Sequence, residues 1–209
     1  MKNAKFKDSG VQWLGEIPQH WEVVPNKYIF ELNNEIVGQQ WQNYKLLSLS
    51  INGIVERDMD NPKGKFPTEF NTYQKVRKGD FVFCLFDFEE TPRCVGLSNL
   101  DGMITGAYTI LRNKTQNSKY LFYLYLSLDN AKALSFMYRG LRKIIPKDDF
   151  FALKIPLPPL DEQRRIAEFL DKKCEKIDKA IALIEQEIQA IKEYKTSLID
   201  KAVRGGINV

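Results

Sequence analysis

Residues 161–203 decide the fold of this chain and read DEQRRIAEFLDKKCEKIDKAIALIEQEIQAIKEYKTSLIDKAV. The stretch contains no glycine and no proline, and its apolar residues return every three and four positions. A period of 3.5 residues is typical of a helix in a coiled coil. The pattern therefore predicts one helix about 64 Å long, at roughly 1.5 Å per residue.

Two sets of residues, each spaced by seven, form the apolar seam of this helix. The predicted interface consists of Leu170, Cys174, Ile177, Ile181, Ile184, Ile188, Ile191 and Leu198, and Ala167 and Ala202 continue the seam at its ends. Lys195 interrupts the seam and favours one register or orientation of the partner. No small domain buries so long a helix, and the sequence predicts no second helix of comparable length. The seam therefore indicates a partner helix.

Composition excludes some classes of protein and leaves others open. The chain has 209 residues and a net charge of +4, and all of the excess lies before residue 161. Such a charge permits a nucleic-acid surface but is equally ordinary for a globular domain. One histidine and three cysteines without a CxxC pair exclude a structural zinc site. Free thiols, and the lack of a secretory signal or an apolar span of ~18 residues, lead us to expect a cytoplasmic protein.

The pattern along the chain indicates an α+β protein. We expect a mixed α/β domain over residues 1–158 and the long helix over residues 159–205. Expected strands are Trp21–Pro25, Tyr44–Ile51, Ile54–Glu56, Phe81–Phe86, Cys94–Leu97, Met103–Ile104, Tyr108–Leu111 and Phe151–Leu157. A short helix is expected over Lys27–Val37, and one helix, or two joined near Asp129, over Tyr120–Met137. Arg57–Phe70 is the longest predicted loop.

No set of residues has the spacing of a catalytic or cofactor site. The phosphate-binding and nucleophile motifs GxGxxG, GxxxxGK[ST] and GxSxG are absent. Asp87, Glu89 and Glu90 are close in sequence, but we interpret them as an acidic loop and not as a metal site. His20 lacks an identifiable nucleophile partner, and we expect it to serve packing. We therefore predict no catalytic residue, no metal and no cofactor.

Basic residues cluster in three predicted loops and are the candidates for DNA binding. They are Arg57, Lys63 and Lys65 in the long loop, Arg93 in a proline-flanked turn, and Arg139, Arg142 and Lys143 around Gly140. Arginine can hold guanine in the major groove through two hydrogen bonds, and lysine can neutralise phosphate. Ordinary solvated loop charges would produce the same pattern, so composition alone does not decide between the two interpretations.

Two segments at opposite ends of the predicted domain carry a resemblance to a known family. Residues 153–167 read LKIPLPPLDEQRRIA, and residues 9–21 read SGVQWLGEIPQHW. Both resemble signatures of the specificity (S) subunits of Type I restriction–modification enzymes. The Lys78–Asp80 turn before a strand, and the helix end at Lys201–Gly205, are also similar to that family.

The resemblance implies a DNA-recognition protein without catalytic activity of its own. In that family the methyltransferase (M) subunits supply the S-adenosylmethionine chemistry and the restriction (R) subunits cut the DNA. The S subunit selects the double-stranded sequence and holds the complex together. We therefore expect M subunits, and through them R subunits, as partners.

This chain departs from the family pattern in one respect. The usual S subunit has two recognition domains and two long helices that pair antiparallel, whereas this chain has one of each. We expect a homodimer that rebuilds the full arrangement; a truncated product, or pairing with a different half-subunit, are the alternatives. Burial of five Leu or Ile side chains would contribute about 7–15 kcal/mol per chain before the entropy of association is subtracted.

A mechanistic hypothesis follows from the resemblance and from the seam. Each domain would read one half-site of a few base pairs, and the paired helices would set the distance between the half-sites. A twofold axis would then produce a split palindrome. Two other classes remain open, namely a coiled-coil adaptor that binds protein and not DNA, and a metal-dependent nuclease without a visible motif.

Overall fold

The computed structural model describes residues 5–59 and 69–207. The strands are β1 Phe6–Asp8, β2 Glu16–Pro18, β3 Glu22–Pro25, β4 Phe30–Asn33, β5 Leu47–Ser50, β6 Gly53–Glu56, β7 Gln74–Val76, β8 Phe81–Phe83, β9 Val95–Leu97, β10 Gly102–Ile104, β11 Thr109–Asn113 and β12 Lys154–Leu157. The α-helices are α1 Asn26–Ile29, α2 Ser118–Asn130, α3 Lys147–Ala152 and α4 Leu160–Val203, and 3-10 helices span Gly38–Asn43 and Ser135–Met137. The chain is thus a mixed α and β protein that ends in one long helix, as predicted.

A four-stranded antiparallel sheet in the order β4-β11-β8-β9 lies at the centre of the domain. Its central strands are buried on both faces, because Phe81, Val82, Phe83, Ile110 and Leu111 are all inaccessible to solvent. This burial explains why β8 is continuously apolar in sequence and does not alternate with polar residues.

The two faces of the central sheet pack against different layers. On one face, Val82 and Ile110 join Leu47, Val76 and Ile104 in an aliphatic cluster. On the other face, Phe30, Phe81, Phe83, Tyr125 and Phe150 form a network of edge-on and tilted aromatic contacts. The sheet is therefore a rigid support from which the neighbouring loops project.

A buried amide connects the short helices to this aromatic layer. Asn26 Nδ2 donates to the Phe150 carbonyl at 2.9 Å, and the Tyr125 hydroxyl donates to Asn26 Oδ1. The Asn26 N–H donates to the Leu153 carbonyl at 3.0 Å. Burial raises the pKa of Tyr125 well above its ordinary value, so this hydroxyl stays protonated as a donor.

The two ends of the domain meet in a small sheet. Strand β12 pairs antiparallel with β3, so that Ile155 lies opposite Val24 and Leu157 lies opposite Glu22. This pairing joins one segment that carries the family resemblance, residues 153–167, to the strand that directly follows the other, residues 9–21, although more than a hundred residues separate them in sequence.

Several predicted elements are confirmed with shifted ends, and one is wrong. The predicted helix over Lys27–Val37 ends at Ile29, and β4 follows it. The helical spacing had placed Tyr28 and Ile36 on a buried face, but both are exposed, and the pairing of β4 with β11 determines the backbone instead.

The other differences are smaller. The first part of the predicted strand Phe151–Leu157 belongs to helix α3, and only Lys154–Leu157 is a strand. Two alternatives were open for Tyr120–Met137, and the structure agrees with the one that divides it near Asp129, because α2 ends at Asn130 and a 3-10 helix follows after a turn. Much of the predicted loop Arg57–Phe70 lies outside the described residues.

The long helix α4 confirms the central prediction from sequence. It spans Leu160–Val203, with Asp161 and Glu162 in its first turn, where the helix dipole favours negative charge. It ends where Gly205 adopts a positive φ and the Gly206 N–H donates to the Lys201 carbonyl at 2.8 Å. The chain divides into two compact units, the first ending at Arg164 and the second beginning at Arg165. No helix of the described part is long and apolar enough to cross a membrane.

Candidate functional site

Two loops of the first unit bring the strongest cluster of predicted DNA-binding residues next to carboxylates. The basic loop consists of residues 139–143, and the acidic loop consists of residues 87–90. Arg139 and Ile144 exchange both backbone hydrogen bonds, at 2.8 and 3.0 Å, which closes the basic loop as a tight hairpin. Leu141 is fully exposed at its tip.

Each cation of the basic loop is paired with a carboxylate. Arg142 Nη2 donates to Asp87 Oδ2 at 2.8 Å, and the Asp87 N–H donates to the Arg142 carbonyl at 2.8 Å. Lys143 Nζ contacts Glu89 and, at 3.7 Å, Glu90.

The third cation of the loop is paired as well, since Arg139 Nη2 lies 2.6 Å from Asp149 Oδ2. Hydrogen bonding to Asp87 raises the pKa of Arg142, and hydrogen bonding to Glu89 raises that of Lys143. The basic and acidic loops therefore form one charge-balanced unit.

An aromatic pair supports this unit from one side. The guanidinium carbon of Arg142 lies 5.4 Å from the centroid of the Phe86 ring, and Phe86 stacks on Tyr108 at 6.1 Å with nearly parallel planes. A pocket of about 370 Å³ adjoins them, lined by Leu85, Phe86, Ala107, Thr109, Arg142, Ile144, Ile145, Pro146 and Lys147. Most of this lining is apolar, so Arg142 stands at the edge of an apolar surface.

Two buried thiols lie beneath the acidic loop. Cys84 Sγ donates to the Phe86 carbonyl at 3.2 Å, and Cys94 Sγ donates to the Phe88 carbonyl at 3.3 Å. Interaction with the neighbouring Cys94 lowers the pKa of Cys84 to about 7, and interaction with Cys84 raises the pKa of Cys94. Both side chains are inaccessible to solvent, and their bonds end on the Phe86 and Phe88 carbonyls at the base of the loop.

Arg93 is placed differently from the residues of the basic loop. Its Nη1 lies 3.3 Å from Asp129 Oδ2 and 2.8 Å from Asn130 Oδ1, and its side chain is mostly buried. Asp129 is itself buried, accepts from the Cys94 N–H at 2.8 Å and pairs with Lys132 at 2.6 Å. The arrangement connects helix α2 to strand β9, which is a structural role.

The remaining predicted basic residues belong to the long loop. The Arg57 N–H donates to the Leu46 carbonyl at 2.8 Å, and Arg57 borders a surface pocket of about 620 Å³ together with Tyr44 and Glu56. Lys63 and Lys65 lie outside the described residues.

Residues at the start of α4 make hydrogen bonds to both flanking segments and to the residues just before α2. Gln163 is buried, and its Nε2 donates to the Pro158 carbonyl at 2.8 Å and to Gln116 Oε1 at 2.9 Å. Its Oε1 accepts from the Asn117 N–H at 3.0 Å. The expectation that His20 serves packing is wrong, because its side chain is 57% exposed and its Nε2 lies 2.7 Å from Glu162 Oε2 in a surface hydrogen bond.

The seam of the second unit presents a long apolar surface. Ile177, Ile181, Ile184, Ile188, Ile191 and Leu198 are each between 42% and 61% exposed, and Leu170 and Cys174 are half-buried. Phe169, Leu183 and Ile199 are also exposed but lie outside the seam positions. About half of each seam residue is already covered within the helix. Burial of the rest against a partner helix would therefore stabilise the association by about 1 kcal/mol per residue, less than burial of a fully exposed side chain.

The structure adds residues that the sequence did not indicate. Phe86 and Asp87 hold Arg142, and Leu141 projects between the cations of the basic loop. No spacing rule connects Asp87 with Arg142, because only the tertiary fold brings them together. Among the described residues, no group of three or more potential metal ligands is present.

The sequence is similar to a family of known proteins. A family model described as the Type I restriction modification DNA specificity domain matches residues 103–193. The chain is 32% identical, over 99% of its length, to the putative type I restriction enzyme MjaX specificity subunit of Methanocaldococcus jannaschii. It is 27% identical, over its whole length, to the type I restriction enzyme MjaVIII specificity subunit of the same organism. It covers 50% of each of them, so it spans about half the length of these curated relatives.

Solved structures share the fold. A chain from work on complex assembly and conformational transition of the type I R-M system matches with a TM-score of 0.69 and 19% identity, over 97% of this chain and 49% of that one. The Type I restriction–modification system S subunit from M. genitalium matches with a TM-score of 0.53 and 19% identity, over 87% of this chain and 47% of that one. At such identities the likeness shows the fold.

Proposed function

Because this chain belongs to the family of Type I restriction–modification specificity subunits, we propose that it recognises DNA sequence and has no catalytic role. It acts in the cytoplasm with M subunits, and through them with R subunits, which carry the chemistry. The observation that carries the proposal is the similarity to specificity subunits over nearly the whole chain, from the N-terminal segment to the long helix.

The first unit is the proposed DNA-reading domain. The basic loop projects from a rigid core, which is where base-reading side chains can be held in position. We retain Arg57, Lys63, Lys65, Arg139, Arg142 and Lys143 as proposed contacts. The bonds from Arg93 to Asp129 and Asn130 make it the least available of the predicted residues.

The second unit is the proposed spacer. The seam residues repeat every seven positions and are exposed along the helix, which suits an antiparallel partner helix. Since the chain spans half the length of its relatives, a second copy would supply the other helix and the other recognition domain. Two identical domains would then read a split palindrome, and the helix length would set the gap between its halves.

DNA binding at several salt concentrations tests the proposal. The chain assembled with its M subunits should bind duplex DNA, with an affinity that falls as salt rises because phosphate contacts release counterions. The complex without this chain should lose its preference for any sequence. If the chain forms complexes through its helix but adds no DNA binding, it is an adaptor for proteins. Cleavage of plasmid by the chain alone with Mg²⁺ would instead identify a nuclease.

A further inference from the structure

Arg142 differs from the other candidate arginines in how its side chain is held. Its side chain is 66% exposed, and two neighbours fix it: Asp87 binds Nη2, and the Phe86 ring lies against the guanidinium. Arg93, in contrast, is mostly buried, and Arg139 pairs with Asp149 alone among the contacts seen here. Arg142 thus combines accessibility with a fixed orientation.

The charges around Arg142 do not suit a phosphate-binding patch. The three cations of the basic loop are paired with four carboxylates, those of Asp87, Glu89, Glu90 and Asp149. The cluster therefore carries no positive surplus, whereas attraction to the DNA backbone requires one. A base edge requires no net charge, only donors and acceptors at the right positions.

Two of the three non-glycine residues with positive φ in the described part of the chain lie at the same place, and the third is Lys132. Asp87 and Lys143 both adopt positive φ, at 45° and 44°, in a region that residues other than glycine rarely occupy. The inter-loop ion pairs and the Asp87 backbone bond keep the two residues in this conformation. Strained residues that the surroundings hold in place are frequent at functional sites.

We propose that Arg142 reads a guanine in the major groove, and that Asp87 and Phe86 are positioning residues that orient its guanidinium. This inference rests on the proposed DNA-reading function and specifies one base that is read. A guanidinium has five N–H donors, and Asp87 Oδ2 takes a bond from Nη2, so donors remain for guanine O6 and N7. Because Phe86 and Asp87 fix the plane beforehand, less side-chain entropy is lost on binding. Adenine presents an amino donor where guanine has O6, and the arginine would reject it.

The test uses the complete complex of this chain with its M subunits and a library of randomised duplexes, sequenced after binding. Arg142→Lys keeps the charge and the Asp87 pair but loses the two-pronged donor set, and Arg142→Gln removes the charge. Asp87→Asn tests positioning. Arg77→Lys is the matched control, because Arg77 is an exposed arginine of the first unit that pairs with Glu35 and is not a proposed DNA contact. Thermal unfolding of each variant checks that the domain is intact.

The expected result is a loss of guanine preference at one position of each half-site, by roughly ten- to hundredfold, for both Arg142 variants. Asp87→Asn should relax the same position to a smaller extent, and Arg77→Lys should keep the wild-type motif. If Arg142→Gln does not fold, Arg142→Lys decides the matter by itself.

Three outcomes would overturn the inference. Arg142→Lys could retain the wild-type guanine preference, or the Arg142 variants could weaken binding to all sequences equally, which would indicate a phosphate contact. In both cases the wild-type complex still selects a motif, so DNA reading itself stands. If the wild-type complex selects no sequence, the proposed function fails and this inference fails with it.

Discussion

At the scale of single residues, Gln163 connects the first turn of α4 to the end of β12 and to the residues just before α2. Its buried amide makes hydrogen bonds with the Pro158 carbonyl, the Gln116 side chain and the Asn117 N–H. Replacement by alanine should lower the free energy of unfolding by about 2–4 kcal/mol, because buried partners are left without hydrogen bonds. Chemical denaturation of the full chain measures the change.

The matched control for this prediction is Gln189→Ala on the same helix. Gln189 is exposed and bonds only to Glu193 among the contacts described, so the change should stay within about 0.5 kcal/mol. Equal effects at the two glutamines would contradict a special role for Gln163.

Asp129 is the second residue on which the domain depends. Its buried carboxylate meets Arg93, Lys132 and the Cys94 N–H. Asp129→Ala would leave these partly buried cations uncompensated and should destabilise the domain by about 3–5 kcal/mol. Thermal unfolding measures this variant and a control, Asp178→Ala, which should have little effect because Asp178 is exposed. A small loss of stability for Asp129→Ala would show that water hydrates the cations instead.

The candidate site was only partly predictable from residues. Arg142 and Lys143 were recognisable as candidates because arginine and lysine around a glycine are a local pattern. Their pairing with Asp87 and Glu89 was not, since it depends on which loops of the fold lie next to each other. Arg93 looked accessible in a proline-flanked turn, yet the buried carboxylate of Asp129 binds it.

At the scale of elements, local periodicity predicted the long helix correctly. It failed for a short segment whose structure depends on strand pairing. The heptad spacing predicted α4 almost to the residue, because the pattern repeats along the whole helix. The predicted helix over Lys27–Val37 had few periodic residues, and ladder bonds between β4 and β11 outweighed them. The continuous apolar run of β8 agrees with its burial on both faces.

The seam of α4 is tested by a charge at its middle. Ile184→Asp should convert the proposed dimer to a monomer at micromolar concentration, because a carboxylate would have to be buried without a partner. Leu183→Asp is the matched control, since Leu183 is adjacent and exposed but lies outside the seam positions. Light scattering measures both, and a dimer that survives Ile184→Asp, or is lost with Leu183→Asp, would contradict the assigned seam.

At the scale of the whole molecule, the length of α4 should determine the spacing of the half-sites. Repeating residues 184–190 once after Ala190 preserves the heptads and lengthens the helix by about 10 Å, at ~1.5 Å per residue. The gap between the two halves of the motif should grow by about three base pairs, at ~3.4 Å each. Sequencing of the methylated sites reads this gap directly.

A four-residue insertion at the same point is the control for the spacer prediction. It breaks the seven-residue repeat, so it should weaken the dimer and reduce methylation overall instead of lengthening the gap. An unchanged gap after the seven-residue insertion would show that α4 does not set the spacing.

The most direct measurement is sequencing of methylated bases in the DNA of a host that carries this chain together with its M subunit. We expect one new motif made of two identical half-sites in inverted orientation, separated by a fixed gap. An asymmetric motif would mean that a different half-subunit supplies the second domain. The absence of any new methylated motif would contradict DNA recognition by this chain.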